Sequence, residues 1–261
     1  MADANVEEKD GVITVTFDRQ NKLNAISPGM TQVLWEAVTK LGDRDDLRCM
    51  VIMAKGRYFA AGIDLSVPIG NRPADPETAH LHPGWNYRRN YRSHHLLYDE
   101  FENVEKPIIQ VIQGVCLGAG LEMAMSCDFR FCTVNAEFAL PELDIGVVAG
   151  SGGTTRLTRL VGPAWGKWLG MAGMRVGAEQ ALAIGLVHQI LSEDSLAADV
   201  RAFCDRLMKI PAETLGLAKL TVDMATDLDR TSQRHLDRIV NTGLEGSEEN
   251  LRRIARFRKE K

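Results

Sequence analysis

Along residues 11–18 (GVITVTFD) apolar and polar side chains alternate. Ile13, Val15 and Phe17 share one face and Thr14 and Thr16 the other, which is the period of a half-buried strand. The period then changes. Met30, Val33, Leu34, Ala37, Val38 and Leu41 recur at helical spacing, so residues 28–41 form one amphipathic helix. Ser27 and Pro28 start it, a side-chain cap followed by a residue whose missing N–H costs nothing there, and Gly42 ends it. Short apolar runs at 49–54 (CMVIMA), 107–112 (PIIQVI) and 128–133 (DFRFCT) read as buried strands.

Small residues at 114–120 (GVCLGAG) lead into a helix at about residues 120–127. Residues 136–140 are extended, and 150–154 (GSGGT) open a further short helix. From residue 163 the pattern is mostly helical, with helix starts at Ser192 and Pro211. Strands and helices thus alternate over two thirds of the chain and helices fill the last third. This is an α/β core with a helical C-terminal region. No repeat of fixed period is visible. One segment stands out: residues 71–98 carry four His together with Trp85, Tyr87, Tyr91 and several Arg, and read as a long loop followed by a helix.

Composition narrows the function. A net charge of -4 and the lack of a long basic run argue against nucleic acid. No apolar run approaches a membrane span, and Met1 to Asp10 is acidic and polar, unlike a signal peptide. Cys49, Cys116, Cys127, Cys132 and Cys204 are odd in number, form no CxxC pair and lie in apolar segments. They read as buried reduced thiols, and a cytoplasmic location follows as an expectation.

Three glycine-rich stretches fail as nucleotide sites. In 118–123 (GAGLEM) the third glycine of a dinucleotide fingerprint falls at Met123. In 162–167 (GPAWGK) the glycines are too close, and Trp168 stands where Ser or Thr is needed. No Lys follows 150–153. Ser151 lacks the GxSxG setting of a hydrolase elbow. His80, His82, His94 and His95 invite a metal reading, but adjacent helix positions point apart; exposed or pocket-lining histidines are the simpler account.

Four remaining features fit together. Gly62, in AAGID (60–64), allows a sharp turn that frees the Ile63 amide. Residues 118–120 open a helix, where free amides and the positive dipole end collect. Two such amides aimed at one point form an oxyanion hole. Glu122 lies in that helix's first turn, and Glu142 follows Pro141. Two carboxylates near one carbonyl can hold a water and divide acid and base roles. The pattern alone equally allows Glu122 to be an ordinary N-terminal helix charge.

Five ordered blocks carry a resemblance: 18–27 (DRQNKLNAIS), 56–65 (GRYFAAGIDL), 114–128 (GVCLGAGLEMAMSCD), 138–161 (FALPELDIGVVAGSGGTTRLTRLV) and 177–187 (GAEQALAIGLV). The chain resembles the enoyl-CoA hydratase/isomerase (crotonase) superfamily over nearly its whole length. The resemblance implies an α/β fold, a spiral of ββα units over residues 1–195. A helical region at 196–261 would build a homotrimer, commonly paired into a hexamer. It implies an acyl-CoA thioester ligand and no metal or redox cofactor. Ile63 and Ala119 match the oxyanion-hole positions, and Glu122 and Glu142 the catalytic pair of a hydratase. Glu122 would activate the water and Glu142 protonate the α-carbon. Lys22 and Leu23 match a CoA-contacting block and Ala61 the adenine side. Gly62, Asp64, Gly118 and Gly150 complete the expected substrate contacts.

Departures refine this. Gly150 stands where dienoyl-CoA isomerase relatives carry a second acid. Arg252 and Arg253 replace a usual Glu-Gly pair. Residues 66–105 are longer than in a short-chain hydratase, and their rings point to a branched, cyclic or aromatic acyl group, unless they only pack a lid or an interface. The expected activity is hydration of a 2-enoyl-CoA. The alternatives are a 3-enoyl/2-enoyl-CoA isomerase with Glu142 as its single base, or another crotonase reaction such as thioester hydrolysis or C–C cleavage.

Overall fold

A hairpin begins the chain. In the computed structural model, which describes residues 3–67 and 94–259, β1 (Ala4–Lys9) pairs antiparallel with β2 (Val12–Phe17). Asp10 and Gly11 between them both have positive φ, as a two-residue hairpin turn requires. The sequence reading missed β1. Only Ala4 of that strand is buried, so an edge strand wet on both faces carries no apolar alternation.

α1 (Pro28–Asp43) then crosses to β3 (Cys49–Ala54), parallel to β2. β5 (Ile108–Ile112), β7 (Phe129–Cys132) and β10 (Gln189–Ile190) continue the sheet in the order β1-β2-β3-β5-β7-β10. A second sheet has the order β4-β6-β8-β9, from β4 (Tyr58–Ala60), β6 (Val115–Leu117), β8 (Glu137–Ala139) and β9 (Val176–Gly177). The chain steps from the first sheet to the second three times: β3 to β4, β5 to β6, β7 to β8. Helical segments follow each step: α2 (His94–Asn103), α3 (Ala119–Ser126), and a 3-10 turn at Pro141–Ile145 with α4 (Gly153–Gly170). This is the expected spiral of ββα units. Its repeat lies in the backbone path and not in side-chain identity, so no period shows in the sequence.

The apolar runs without alternation have a simple cause. Met50 and Ile52 of β3 pack with α1 residues such as Leu34, Val38 and Leu41 on one side. Cys49 and Val51 pack on the other with Val200, Cys204 and Leu207 of α6 (Leu196–Met208). A parallel sheet covered on both faces needs apolar residues at every position. All five cysteines are buried and free.

Two boundaries move. α1 runs past Gly42 to Asp43, and Arg44 caps it by donating its N–H to the Lys40 carbonyl. α6 starts at Leu196, after a turn in which the Ser195 N–H bonds the Ser192 carbonyl, so Ser192 is not its cap. Ser27 caps α1 as expected, accepting from the Met30 N–H. α5 (Ala178–Ala183), α7 (Ala212–Met224), α8 (Arg230–Leu244) and α9 (Glu248–Lys259) complete the described helices. No side chain of α8 or α9 is buried, and Ile239, Leu251 and Phe257 stand exposed. No described helix is long and apolar enough to cross a membrane.

One buried polar residue joins the early loop to the first spiral turn. Asn24, left-handed at φ 52, donates to the Lys55 and Tyr58 carbonyls and accepts from the Arg19 N–H. Asn24→Ala would orphan these groups and put a Cβ-bearing apolar residue in a left-handed well. We expect a loss of about 3 kcal/mol, summing an unsatisfied buried group and the left-handed penalty. Urea unfolding would read it as a lower midpoint at unchanged slope.

Candidate active site

The end of β4 and the end of β6 lie side by side. Beyond β4 the chain turns at Gly62, φ 100. The Gly62 carbonyl accepts from Ile26 N–H at 2.8 Å, and Asp64 N–H donates to the Ile26 carbonyl at 3.0 Å. With both flanking groups pinned to Ile26, the alternation of an extended chain aims the Ile63 N–H the opposite way. Beyond β6, Gly118 takes φ 53 and ψ -126, donates to the Ala139 carbonyl and caps α3. A Cβ at Gly118 would sit 3.5 Å from the Gly62 Cα and 3.0 Å from Oε1 of Glu142. So these two turns and Glu142 share one small space. Among the described residues, neither the Ile63 nor the Ala119 amide donates to a protein acceptor. Ala119 sits at the positive end of α3, whose eight residues are all buried. Its carbonyl is fixed by the Tyr98 hydroxyl, which donates at 3.0 Å.

Two glutamates flank this point. Glu122, in the first turn of α3, is 3% exposed. Its Oε1 accepts from Ser151 N–H at 2.7 Å and Gly153 N–H at 3.2 Å, and Oε2 takes no part in these two bonds. Burial pushes its carboxyl up to about 7, helped by the negative charge of Glu142 and opposed by the two amides. Glu142 sits in the Pro141–Ile145 turn, which closes at left-handed Gly146. Burial raises its carboxyl above the usual range. Its Oε2 is buried without a hydrogen-bond partner among the described residues. Such an atom is uncommon in a folded protein. Because the charge on Glu142 raises Glu122, the pair holds a single proton between their two ionisations.

The remaining residues singled out from sequence fall around this centre. Lys22 and Leu23 are exposed at the rim, and Ala61 N–H donates to the Leu23 carbonyl, which sets residues 22–23 beside the Ala61–Ile63 turn. Gly150 lies in the turn between Glu142 and α4. Asp64 is buried and engaged elsewhere: Arg19 Nη1 lies 2.7 Å from its carboxylate, which also accepts from Ser66. These partners hold it down at about 2. His95 is buried on α2 and its pKa is lowered to about 4, first by burial, so it is neutral. His80, His82, Trp85, Tyr87 and Tyr91 lie outside the described residues. Among the described residues no cluster of three or more His, Cys, Asp or Glu is placed to hold a metal ion.

Sequence reasoning missed Asn24, Tyr98 and Arg156, all buried and all bonded near the site. Asn24 and Arg156 lie inside resemblance blocks. The bonds that Asn24 donates reach Lys55 and Tyr58, and those of Arg156 link two helices, so no local spacing reveals them.

Known proteins resemble this chain in sequence and in fold. The enoyl-CoA hydratase/isomerase family model matches residues 7–257. A crotonyl-CoA hydratase of Syntrophomonas wolfei is 30% identical over 235 residues, 89% of this chain and 86% of that protein. A carnitinyl-CoA dehydratase of Salmonella typhi is 33% identical over 198 residues, 76% of this chain and 71% of that one. An enoyl-CoA hydratase structure from Geobacillus kaustophilus superposes with TM-score 0.86 at 28% identity, covering 99% and 96% of the two chains. One from Bacillus anthracis gives 0.88 at 23% identity over 99% and 97%, a likeness of fold.

The α3–β4 contact can be tested. A Cβ at Gly120 would lie 2.7 Å from the Ala60 Cβ. Gly120→Ala gains about 1 kcal/mol of helix propensity. We expect overpacking to outweigh it, leaving a net loss of about 1–2 kcal/mol. Thermal unfolding would show a Tm lower by roughly 2–8 °C; a raised Tm would mean that α3 can withdraw freely.

Proposed function

Because the chain belongs to the enoyl-CoA hydratase/isomerase family, we propose that it adds water reversibly across the 2,3 double bond of a 2-enoyl-CoA. The observation that carries this reading is the pairing of buried Glu122 and half-buried Glu142 with two amides that have no acceptor among the described residues. The names of the hydratase and dehydratase relatives support it.

In the proposed reaction the thioester oxygen accepts from Ile63 and Ala119 N–H. Electron density drawn to that oxygen leaves the β-carbon electrophilic. Ionised Glu122 takes a proton from water as the water oxygen bonds the β-carbon. The double-bond electrons pass into an enolate, held by the two amides, and protonated Glu142 delivers its proton to the α-carbon. Hydration therefore starts with the proton on Glu142 and ends with it on Glu122. Dehydration runs the same steps backwards. Burial favours the proton on Glu122, the state from which dehydration starts. Both directions use the singly protonated pair, and protons and water are all that move.

Lys22, Leu23 and Ala61 are proposed to meet the CoA portion at the rim, and Gly62, Gly118 and Gly150 to line the reacting end. Asp64 contributes through Arg19 and Ser66 by holding the Ile63 turn. We propose residues 1–195 as the catalytic core and 196–261 as the assembly region. The exposed apolar side chains of α8 and α9 suit contacts with further copies in a trimer. The segment 71–98, whose rings raised the expectation of a branched, cyclic or aromatic acyl group, lies mostly outside the described residues.

The decisive assay follows 2-enoyl thioester absorbance with crotonyl-CoA, a medium-chain enoyl-CoA and a cinnamoyl-like CoA. Wild type is expected to remove the absorbance. Glu122→Gln and Glu142→Gln are each expected to slow it by about 100- to 10,000-fold, the usual worth of a positioned acid or base. Appearance of the absorbance from a 3-enoyl-CoA, surviving Glu122→Gln, would replace the reading by a single-base isomerase.

The pH dependence follows from the same pair. Above about 7 the last proton leaves Glu122 and the working state is lost. At low pH Glu142 gains a proton, at a pKa raised from 4.5. A plot of kcat/KM against pH is expected to be bell-shaped, with its alkaline limb near 7 and the same limbs in both directions.

A further inference from the structure

The amides that hold Glu122 belong to the turn Ala149–Gly153, which leads into α4. Within it Ala149 packs into the apolar core, and Gly152 is left-handed at φ 80. One cation spans it. Arg156, buried in the first turn of α4, donates from Nη1 to the Ser151 carbonyl at 2.8 Å. The other edge of its guanidinium grips α2: Nε and Nη2 bond the two oxygens of Glu102 at 2.7 and 2.6 Å, and Nη2 also bonds Asp99 at 2.7 Å. A Cβ at Gly152 would lie 2.1 Å from Nη1, so the guanidinium rests directly on the turn backbone.

Ser151 therefore joins two bonds in series. Its carbonyl is held by Arg156, and its N–H holds Oε1 of Glu122. We propose that Arg156 is a positioning residue for Glu122, anchoring the Ala149–Gly153 turn to α2 so that the Ser151 and Gly153 amides keep the carboxylate aimed at the reacting atoms. Arg156 touches no reacting atom itself. The planar fork suits this role, because it binds one carboxylate with two parallel bonds and keeps a third donor for the turn. Lys has no such geometry. The same α2 carries Tyr98, which fixes the Ala119 carbonyl at the head of α3. Thus α2 braces the oxyanion side directly and the Glu122 side through Arg156.

The charge acts in the same direction. Arg156 is among the groups that favour ionised Glu122, while Glu142 disfavours it. Tyr98 and neutral His95 face the cluster from α2. Removing Arg156 slackens the two amide bonds to Glu122 and withdraws a nearby cation. Both changes move the Glu122 carboxyl further above about 7.

This inference rests on the hydratase reading only for its rate readout, so the experiment has two arms. In the first, Glu122 is titrated by carbon NMR in protein labelled at the glutamate carboxyl carbons, with Glu122→Gln used to identify its signal. Arg156→Gln is expected to raise the midpoint above the wild-type value, and Arg156→Lys to give an intermediate result. In the second arm, Arg156→Gln is expected to lower kcat of enoyl-CoA hydration by about 10- to 100-fold, the scale of a misplaced catalytic group, with KM within a few-fold of wild type. If Arg156→Gln does not fold, Glu102→Gln, which keeps Arg156 but weakens its anchor, is expected to shift the midpoint in the same direction by less. A folded Arg156→Gln with wild-type midpoint would overturn the proposal whatever the turnover. A wild type that turns over no enoyl-CoA, but whose midpoint rises in Arg156→Gln, would overturn the hydratase reading and leave the positioning role standing.

Discussion

Helix α3 lies closer to the second sheet than side chains normally permit, and the site depends on that approach. Gly120 meets Ala60 where even one extra carbon would collide, and Gly118 meets the Gly62 backbone. Close approach brings the first amides of α3 and the amide beyond Gly62 to one place. No side chain has to reach for the substrate oxygen, because the backbone is already there. Donors fixed by the fold need not reorganise when charge develops, which makes them effective in a dry pocket. The spiral serves this contact, since each passage from sheet to sheet ends in a turn at the same edge.

Placing two carboxyls in that pocket destabilises the fold at neutral pH. Glu122 binds its proton more tightly in the folded state than in the unfolded chain, where the value is near 4.5. Stability on its account is therefore undiminished below about 4.5, falls as pH rises towards 7, and stays reduced above. The total is roughly 3 kcal/mol. The two amides from Ser151 and Gly153 limit this penalty without removing it. Glu142 adds a buried oxygen with no partner among the described residues. A stable fold would not choose either arrangement for its own sake, and the large apolar cores on both faces of the main sheet tolerate them.

Much of this was legible beforehand. The alternation at Ile13, Val15 and Phe17, the unbroken runs at 49–54 and 107–112, and the Ser27–Pro28 start all became the expected elements. Local patterning reports burial, and burial is what those residues experience. Misses came where local pattern and environment part company. β1 is wet on both faces, β9 and β10 are two residues long, and Gly42 lies inside a helix because Arg44 supplies the cap.

For the site, residue type and order determined the candidates: two glutamates, and glycines at the two turns where an amide could be freed. Family-like blocks named the same residues. Only the tertiary structure decided that Gly62, Gly118 and Glu142 share one space, since they are far apart in the chain and meet only through the pairing of β4, β6 and β8. It also decided that Asp64 turns to Arg19, that Ser151 and Gly153 serve Glu122, and that Arg156 ties their turn to α2. Periodicity records which face of an element is buried. It carries no record of which distant backbone a hydrogen bond will find, because that partner is set by how the elements pack.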